Sequence, residues 1–203
     1  MSRRIAVIDF ETNGASPGRD CRATEIGVAL LEDGRIVDRY QSLINAGVWI
    51  PPMIERLTGI SNAMLRDAPP PAVAMAEAAR FVGDTPLAAH NASFDRKFWD
   101  YELAQLGLAR SQDFACTLLL SRRVLPQAPD HKLGTLARWL RLPDTGRAHR
   151  ALADAEMAAH LLSHLQGELS RRYGAHLCGH RQLCGMQKIS AAKIGLYLQA
   201  QAG

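Results

Sequence analysis

The order of segments along the chain predicts an α/β domain in which helices pack on a mixed sheet. Three strand-like runs come first, and two short strand-like runs follow later, each placed between segments with helical character. Glycines and prolines separate these segments, and no internal repeat interrupts them. A sheet with helices layered on it accommodates this order of elements.

The first part of the chain predicts three antiparallel strands. Ile5-Ala6-Val7-Ile8 is a short apolar run that suits a buried central strand. Residues 25–31 and 36–44 are two further strand-like runs, and Glu32-Asp33-Gly34-Arg35 between them is a hairpin turn signal. We therefore expect an antiparallel arrangement for these three strands.

The remainder of the chain predicts mainly helices. Pro51-Pro52 opens a short helix that Gly59 ends, and Ser93 is suited to cap a helix that reaches about Leu106. The other predicted elements are strands at 87–89 and 113–116, helices at 72–82, 117–124, 133–140 and 151–168, and two short helical stretches after residue 174.

The composition indicates one globular domain with a modest extension. The chain has 203 residues, of which 47% are hydrophobic, and no apolar run reaches the roughly 18 residues of a membrane span. The segment Met1–Ile5 lacks the apolar stretch of a secretory signal. We therefore expect a cytoplasmic protein with no membrane contact, whose four cysteines are reduced thiols.

Charge is distributed unevenly along the chain. The net charge is +4, and the residues from Arg171 onward include five basic and no acidic side chains. Residues 1–170 therefore carry 19 basic and 20 acidic groups, a net charge of −1. We expect a domain at 1–170 and a basic helical C-terminal extension at 171–203 that packs on it. The positive charge of the extension is compatible with binding to a polyanion, and equally with an ordinary solvated helical segment.

Two carboxylates stand at the end of the first predicted strand. Asp9 and Glu11 are two residues apart, so on a strand they point to the same face. Such close negative charges repel each other unless a cation lies between them. Gly14 then lets the backbone turn close to a ligand. The pattern favours a divalent-metal site, although an acidic strand end at a turn would have the same residues.

Three more candidate residues lie further along the chain. Asp95 falls in the first turn of its helix, where the helix dipole alone would favour an acid. His149 and Asp154 are too far apart to share a helix face, and Gly146 just ahead places His149 on the loop. Asp154 then begins an otherwise apolar helix stripe, where a carboxylate is costly unless backbone amides, a partner or a metal satisfies it.

Taken in order, these blocks resemble the motifs of the DEDD exonuclease superfamily, in its histidine-bearing branch. The first motif spans Asp9 to Gly14, Asp95 is the aspartate of the second, and His149 and Asp154 belong to the third. The tyrosine that marks the alternative branch is absent from the third block. The resemblance covers about residues 4 to 168 and includes the proofreading (epsilon) subunit of bacterial DNA polymerase III and its stand-alone relatives.

This resemblance implies an RNase H-like fold, with three antiparallel and two parallel strands in a five-stranded sheet flanked by helices. It implies 3′–5′ removal of nucleotides as 5′-monophosphates with two Mg²⁺ or Mn²⁺ ions, which are hard cations that take oxygen ligands. Asp9 is then expected to contact both ions. Glu11 and Asp154 complete one set of ligands, and Asp95 reaches the other ion through water. His149 is expected to take the proton from the attacking water, since an ordinary imidazole titrates at about 6.5.

Residues beside the motifs are candidates for holding the terminal nucleotide. Phe10 and Met53 are expected to wedge or stack against bases. Thr12 is expected to hold the 3′-OH, by analogy with the family. Asn91 is expected to support the site.

Three neighbours of these residues are expected to have no direct part in catalysis. His90 could orient a loop at the end of the fourth predicted strand. Leu57 and Phe94 could also contact a base, but core packing is the expectation for both.

The C-terminal extension carries a cluster of histidines and cysteines. His176, Cys178, His180 and Cys184 are types that bind zinc, but their spacing is not that of a Cys-x-x-Cys site, so a plain helical segment is favoured. The extension also lacks a Gly/Pro-rich linker. Stand-alone action is therefore favoured over constitutive polymerase binding, with a polymerase contact as the other option.

Three functions are compatible with the sequence. The first is a metal-dependent 3′–5′ exonuclease acting on DNA ends, at single-stranded or frayed 3′ termini. The second is an RNA-trimming 3′–5′ exoribonuclease, because the sequence does not reveal what meets a 2′-OH. The third is a catalytically silent nucleic-acid- or polymerase-binding module, which intact acidic motifs disfavour because unused buried carboxylates are a liability.

Overall fold

One mixed sheet lies at the centre of the structure, a computed structural model that describes residues 4–174 and 179–201. Its strands are β1 Ile5–Thr12, β2 Ala23–Glu32, β3 Arg35–Leu43, β4 Leu87–Ala89 and β5 Phe114–Cys116, in the spatial order β3-β2-β1-β4-β5. The pairs β1–β2 and β2–β3 are antiparallel, and β1–β4 and β4–β5 are parallel. The predicted sheet of three antiparallel and two parallel strands is therefore confirmed.

Helices follow β3, β4 and β5 in the chain and cover both faces of the sheet. They are α1 Pro52–Thr58, α2 Asn62–Arg66, α3 Pro71–Val82, α4 Ser93–Ala104, α5 Thr117–Val124, α6 Leu133–Leu140, α7 Ala151–Tyr173, α8 His180–Met186 and α9 Ile194–Gln199, with a short 3-10 helix at Ala191–Lys193. Within residues 4–174 and 179–201, no helix is long and apolar enough to cross a membrane.

Two helices begin in ways that the sequence did not predict. The expected cap at Ser93 is wrong, because α4 already includes this residue and Ala92 precedes it. Asn91 adopts a left-handed conformation with φ 62°, and its carbonyl accepts the Phe94 N–H at 2.9 Å, so the helix starts earlier. The short helix α2 was not predicted, although the Ser61 side chain caps it.

Two helices end at residues other than the expected ones. α4 ends at Ala104, before the predicted Leu106. α7 continues past residue 168 to Tyr173, and Leu169 on this added turn is buried in the core. α7 therefore crosses residue 170, and the division of the chain at that residue stays a prediction.

Side chains of β1 alternate between two hydrophobic cores. Ile5 and Val7 pack in the core that contains Leu161 of α7, whereas the intervening residues pack against α3 and α4. Because successive residues of a strand point to opposite faces, Asp9 and Glu11 continue the α7 side of the strand. The alternation therefore aims both carboxylates toward the start of α7.

The start of α7 lies directly against β2 at Gly27. A Cβ atom at this glycine would lie 2.3 Å from the carbonyl carbon of Ala151 and 2.3 Å from the amide nitrogen of Leu152. Gly27 is also the partner of Asp9 in the β1–β2 register. The missing side chain thus lets the helix backbone approach the sheet next to the acidic end of β1.

The described part of the C-terminal extension covers the outer edge of β5. The side-chain amide of Gln187 accepts the Cys116 N–H at 2.6 Å and donates to the Phe114 carbonyl at 2.9 Å. Leu183 and Met186 are buried in the same core as α7. Residues 179–201 therefore cover backbone groups of the edge strand and add to the core.

The histidine and cysteine cluster of the extension is only partly described, because His176 and Cys178 lie outside the described residues. The ring of His180 is hydrogen bonded to the Leu87 carbonyl at 2.7 Å, and Cys184 is a free thiol. The interpretation of this stretch as a plain helical segment stays a prediction.

Gly27→Ala is expected to lower the free energy of unfolding by about 1–3 kcal/mol or more, because the added methyl group overlaps the α7 backbone. Gly18→Ala is the matched control, since a Cβ there meets nothing within 4 Å. Urea unfolding followed by circular dichroism measures both. Equal stabilities for the two variants would show that α7 does not approach β2 as closely as described.

Candidate active site

A cavity of about 390 Å³ opens where β1, α1, α4 and the start of α7 meet. The five residues predicted to carry the chemistry all line this cavity: Asp9, Glu11, Asp95, His149 and Asp154. They come from three segments that are far apart in the sequence. The fold therefore brings the predicted carboxylates and the imidazole to one place.

The two carboxylates of β1 form one side of the cavity. Asp9 is partly exposed to the cavity, and Glu11 is only 9% exposed. In the β1–β2 register, Asp9 lies opposite Gly27 and Glu11 lies opposite Glu25. Asp9 therefore lies beside a residue without a side chain, and Glu11 lies beside another carboxylate.

Asp95 lies in the first turn of α4 and is almost fully buried, with 2% of its surface exposed. Its Oδ1 atom accepts a hydrogen bond from the backbone N–H of Phe10 at 3.2 Å. This bond joins the start of α4 to β1 between the two strand carboxylates. The backbone of the first motif thus fixes the Asp95 side chain in the cavity.

His149 and Asp154 flank the start of α7. His149 lies on the loop, as predicted, in a left-handed conformation with φ 59°. Its backbone N–H donates to Asp154 Oδ2 at 3.0 Å, while its side chain is exposed. Asp154 lies in the first turn of the helix and is partly buried. The backbone of the histidine therefore orients the aspartate, and the imidazole stays accessible.

Burial raises the pKa of every carboxylate in this group. The pKa of Asp9 lies well above its usual range because of burial and then the neighbouring carboxylate charges. Burial, followed by the charge of Asp154, raises the pKa of Glu11 to about 8. Burial also raises the pKa of Asp95 to about 7 and that of Asp154 above its ordinary value. The group therefore resists carrying all of its negative charges at neutral pH.

A divalent cation fits this set of residues. Ligand atoms of Glu11, His149 and Asp154 all lie within 4.8 Å of one another. Four of the residues that line the cavity carry carboxylates, and hard divalent cations prefer oxygen ligands. A bound cation would also favour the ionised carboxylates, whose pKa values are raised mainly by burial. The four carboxylates could therefore hold metal, with the imidazole at its edge.

His90 forms part of the cavity wall and is fixed by two hydrogen bonds. Its Nδ1 atom is bonded to Thr117 Oγ1 at 2.9 Å, and its Nε2 atom to the His131 carbonyl at 3.0 Å. Burial lowers the pKa of His90 to about 4. These bonds attach the end of β4 to α5 and to the loop before α6, and the expectation that His90 takes no part in catalysis stays a prediction.

The four predicted substrate-binding residues differ in accessibility. Thr12 and Asn91 line the cavity, and the Thr12 hydroxyl donates to the Gly14 carbonyl at 2.6 Å. Phe10 also lines it, but its side chain is 4% exposed in the core beside α4. Met53 is 68% exposed on α1 and lies outside the cavity lining. Burial of Phe10 disfavours base stacking by its ring, whereas Met53 is accessible to a ligand.

The two neighbours expected in the core have different surroundings. Leu57 is 48% exposed and lines the cavity, so the expectation of core packing is wrong for it. The α1 helix is short and presents this side chain at the cavity rim. Phe94 is partly buried, with its ring centroid 5.0 Å from that of Phe98, so core packing holds for it.

Sequence reasoning missed an ion pair beside the cavity. Glu25 on β2 is fully buried and binds the Arg150 guanidinium, the shortest contact being 2.6 Å. Arg150 directly follows His149 in the chain. A signal was present, because Glu25 is a charged residue directly before the apolar run 26–31 of the same strand. Its partner was not recognisable, since it lies 125 positions away.

The stability of the metal-free protein is expected to fall as the pH rises from about 5 to 8. Folded-state pKa values of about 7 for Asp95 and about 8 for Glu11 exceed the unfolded values of about 4, so their contribution is present at low pH and lost on ionisation. Added Mg²⁺ or Mn²⁺ should raise the melting temperature more at pH 8 than at pH 5, compared with EDTA.

Thermal unfolding at both pH values measures this effect. Asp95→Asn should weaken the pH dependence, whereas Asp67→Asn, which removes an exposed carboxylate directly after α2, should preserve it. A metal-free protein whose stability rises with pH over this range would contradict the prediction.

Comparison with known proteins places these residues in a family. The RNase T family model, described as "Exonuclease", matches residues 6–162. The chain is 36% identical over 156 residues to the 3′-5′ exonuclease DinG of Bacillus subtilis. This match covers 76% of this chain and 17% of that protein. The chain is 32% identical over 171 residues to DNA polymerase III subunit epsilon of Aquifex aeolicus, which covers 84% of each. The chain thus spans only a minor part of the longer relative.

Solved structures share the fold. Exonuclease X, in complex with 5′ overhanging duplex DNA, matches with a TM-score of 0.71 and 26% identity over 90% of this chain and 99% of that one. The nuclease domain of 3′hExo, a DEDDh family member bound to rAMP, has a TM-score of 0.69 at 18% identity, covers 82% of this chain and 92% of that one, and supports the fold alone. The RNase H-like fold is therefore confirmed. The chain belongs to the exonuclease family, which confirms the resemblance carried by its three motifs.

Proposed function

We propose that the protein is a metal-dependent 3′–5′ exonuclease that releases nucleoside 5′-monophosphates from DNA ends, at single-stranded or frayed 3′ termini. The observation that carries the proposal is the convergence of four carboxylates and one imidazole in a single cavity of an exonuclease-family chain. A phosphodiester is a poor electrophile, and such a group of residues supplies both a cation site and a proton acceptor.

Two Mg²⁺ or Mn²⁺ ions are the proposed cofactors, held by Asp9, Glu11, Asp95 and Asp154. When bound, the ions stabilise negative charge on the attacking and leaving oxygens of the reacting phosphate. The carboxylates supply oxygen ligands from strand and helix positions that hydrogen bonds already fix, as for Asp95 and Asp154. Little rearrangement is then needed to bind the ions.

His149 is the proposed general base. Its ring lies within 4.8 Å of carboxylate oxygens of Glu11 and Asp154, and it is accessible from solvent. A ring nitrogen there can accept the proton of a water that attacks the phosphorus atom. Because His149 lies on the loop, its ring can adjust to the water, whereas Asp154 is fixed in α7.

Cationic side chains next to the site favour a strand of nucleic acid as the substrate. A second cavity of about 590 Å³ shares His90, Asn91 and Leu133 with the active-site cavity. It is also lined by Arg122 and Lys132, which are exposed and have no ion pair within the described residues. Phosphates of a bound strand could contact both cations.

DNA is the proposed substrate because several relatives of this chain are DNA enzymes by name. They include DNA polymerase III subunit epsilon, and Exonuclease X was solved with duplex DNA. RNA trimming is the alternative, because the nuclease domain of 3′hExo was solved with rAMP. The packed extension supports action without constitutive polymerase binding, since Gln187 and Leu183 attach it to the domain.

Digestion of 3′-labelled DNA and RNA strands of equal length tests the proposed function. With Mg²⁺ or Mn²⁺, the label should appear at once as a 5′-mononucleotide, faster from DNA than from RNA, and EDTA should abolish release. Faster release from RNA would favour the exoribonuclease. Binding of either strand without release would favour a silent module, and release as longer fragments would contradict exonuclease action.

His149→Ala is expected to lower kcat by about 10²–10⁴-fold with little change in KM, because it removes the proton acceptor but leaves the carboxylates in place. His164→Ala, further along α7, is the matched control and should leave kcat nearly unchanged. Single-turnover digestion of labelled DNA measures both. Retained turnover in His149→Ala would rule out the proposed base.

A further inference from the structure

We infer that Glu25 is a positioning residue of the proposed nuclease. Its buried carboxylate holds Arg150 and the first backbone N–H of α7, and these fix the segment between His149 and Asp154. The inference rests on the proposed function and adds to it a residue that need not contact metal or substrate.

Hydrogen-bond donors contact both oxygens of the Glu25 carboxylate. Its side chain has no exposed surface. Oε1 accepts from Arg150 Nη2 at 2.6 Å and from the Gln41 side-chain amide at 2.7 Å. Oε2 accepts from the Ala151 N–H at 2.9 Å and from Arg150 Nε at 3.1 Å. Both oxygens are thus already engaged, so a metal could bind Glu25 only by displacing these donors.

The same bonds supply the cap of α7. Arg150 is the residue before the helix, and its own side chain provides no capping bond. The first N–H groups of a helix need acceptors, and a negative charge near them is favourable. Glu25 provides both from a neighbouring strand, since it accepts the Ala151 N–H. The position of the α7 start is therefore set by the sheet.

The fixed segment lies between the two functional residues of the third motif. His149 directly precedes Arg150 and has a left-handed φ of 59°, a conformation that persists only where its surroundings impose it. Asp154 follows one turn later and accepts the His149 N–H. Glu25 anchors the chain between these residues, so loss of the anchor should displace both relative to Glu11.

Glu102 offers a matched control for this inference. It is also a carboxylate with no exposed side-chain surface, and it binds the Arg22 guanidinium through two contacts of 2.9 and 2.6 Å. It likewise accepts a backbone N–H, that of Ala23, at 3.3 Å. The two ion pairs share their chemistry, but the Glu102 pair does not contact α7.

The experiment compares Glu25→Gln with Glu102→Gln in the full chain. Four quantities are measured: the urea midpoint, kcat and KM on single-stranded DNA, and Mn²⁺ binding without substrate by the electron paramagnetic resonance of free Mn²⁺. Both variants should lose stability. Glu25→Gln alone should lower kcat and weaken Mn²⁺ binding, each by roughly 10- to 100-fold, with KM changed much less.

Retention of kcat and Mn²⁺ affinity by Glu25→Gln at the level of Glu102→Gln would overturn the inference, since stability loss would then be its whole effect. If Glu25→Gln does not fold, Arg150→Gln removes the same charged contact from the partly exposed side of the pair. It should show the same losses in kcat and Mn²⁺ affinity, and normal values for both would again overturn the inference.

The Mn²⁺ measurement separates this inference from the proposed function. If the wild-type protein digested neither DNA nor RNA, the proposed function would fail, while Mn²⁺ binding could still be compared among the variants. Weaker Mn²⁺ binding in Glu25→Gln than in Glu102→Gln would then support the positioning of Asp154, and equal binding would contradict it.

Discussion

Burial of four carboxylates in one cavity, together with repulsion between them, is the constraint on which the rest of this structure depends. The residues come from β1, α4 and α7, and burial raises the pKa of each. Backbone N–H groups offset part of the free-energy cost of ionising these carboxylates, because Phe10 donates to Asp95 and His149 donates to Asp154. Hydrogen bonds to charged groups contribute about 1.5–3 kcal/mol each. The remaining repulsion would be relieved by a bound cation, which is the basis of the proposed metal site.

The sheet and the packing of α7 against it hold this site rigidly. Alternation along β1 places Ile5 and Val7 in the core under α7 and aims Asp9 and Glu11 along the same face. Gly27 lets α7 approach without a side chain in between. The four carboxylates lie on elements whose neighbouring residues are closely packed in the hydrophobic core. Their geometry therefore depends on residues that carry no charge.

Patterns of short range were sufficient to predict much of this arrangement. A period of two placed Asp9 and Glu11 on one face, and helix geometry placed His149 on the loop and Asp154 in the helix. The errors have a different origin. The cap at Ser93 failed because Asn91 adopts a left-handed backbone, which no residue spacing reveals. The ion pair of Glu25 joins positions far apart in the chain, so only the folded structure identifies the partner.

The contact between Gln187 and β5 has a consequence for the behaviour of the whole protein in solution. An edge strand with free N–H and C=O groups is a template on which another polypeptide can add a strand. Here a side-chain amide occupies two of those groups, at Cys116 and Phe114. A strand of another polypeptide could pair with these two groups only by displacing Gln187, so the C-terminal residues protect this edge of the sheet independently of any contact with a substrate.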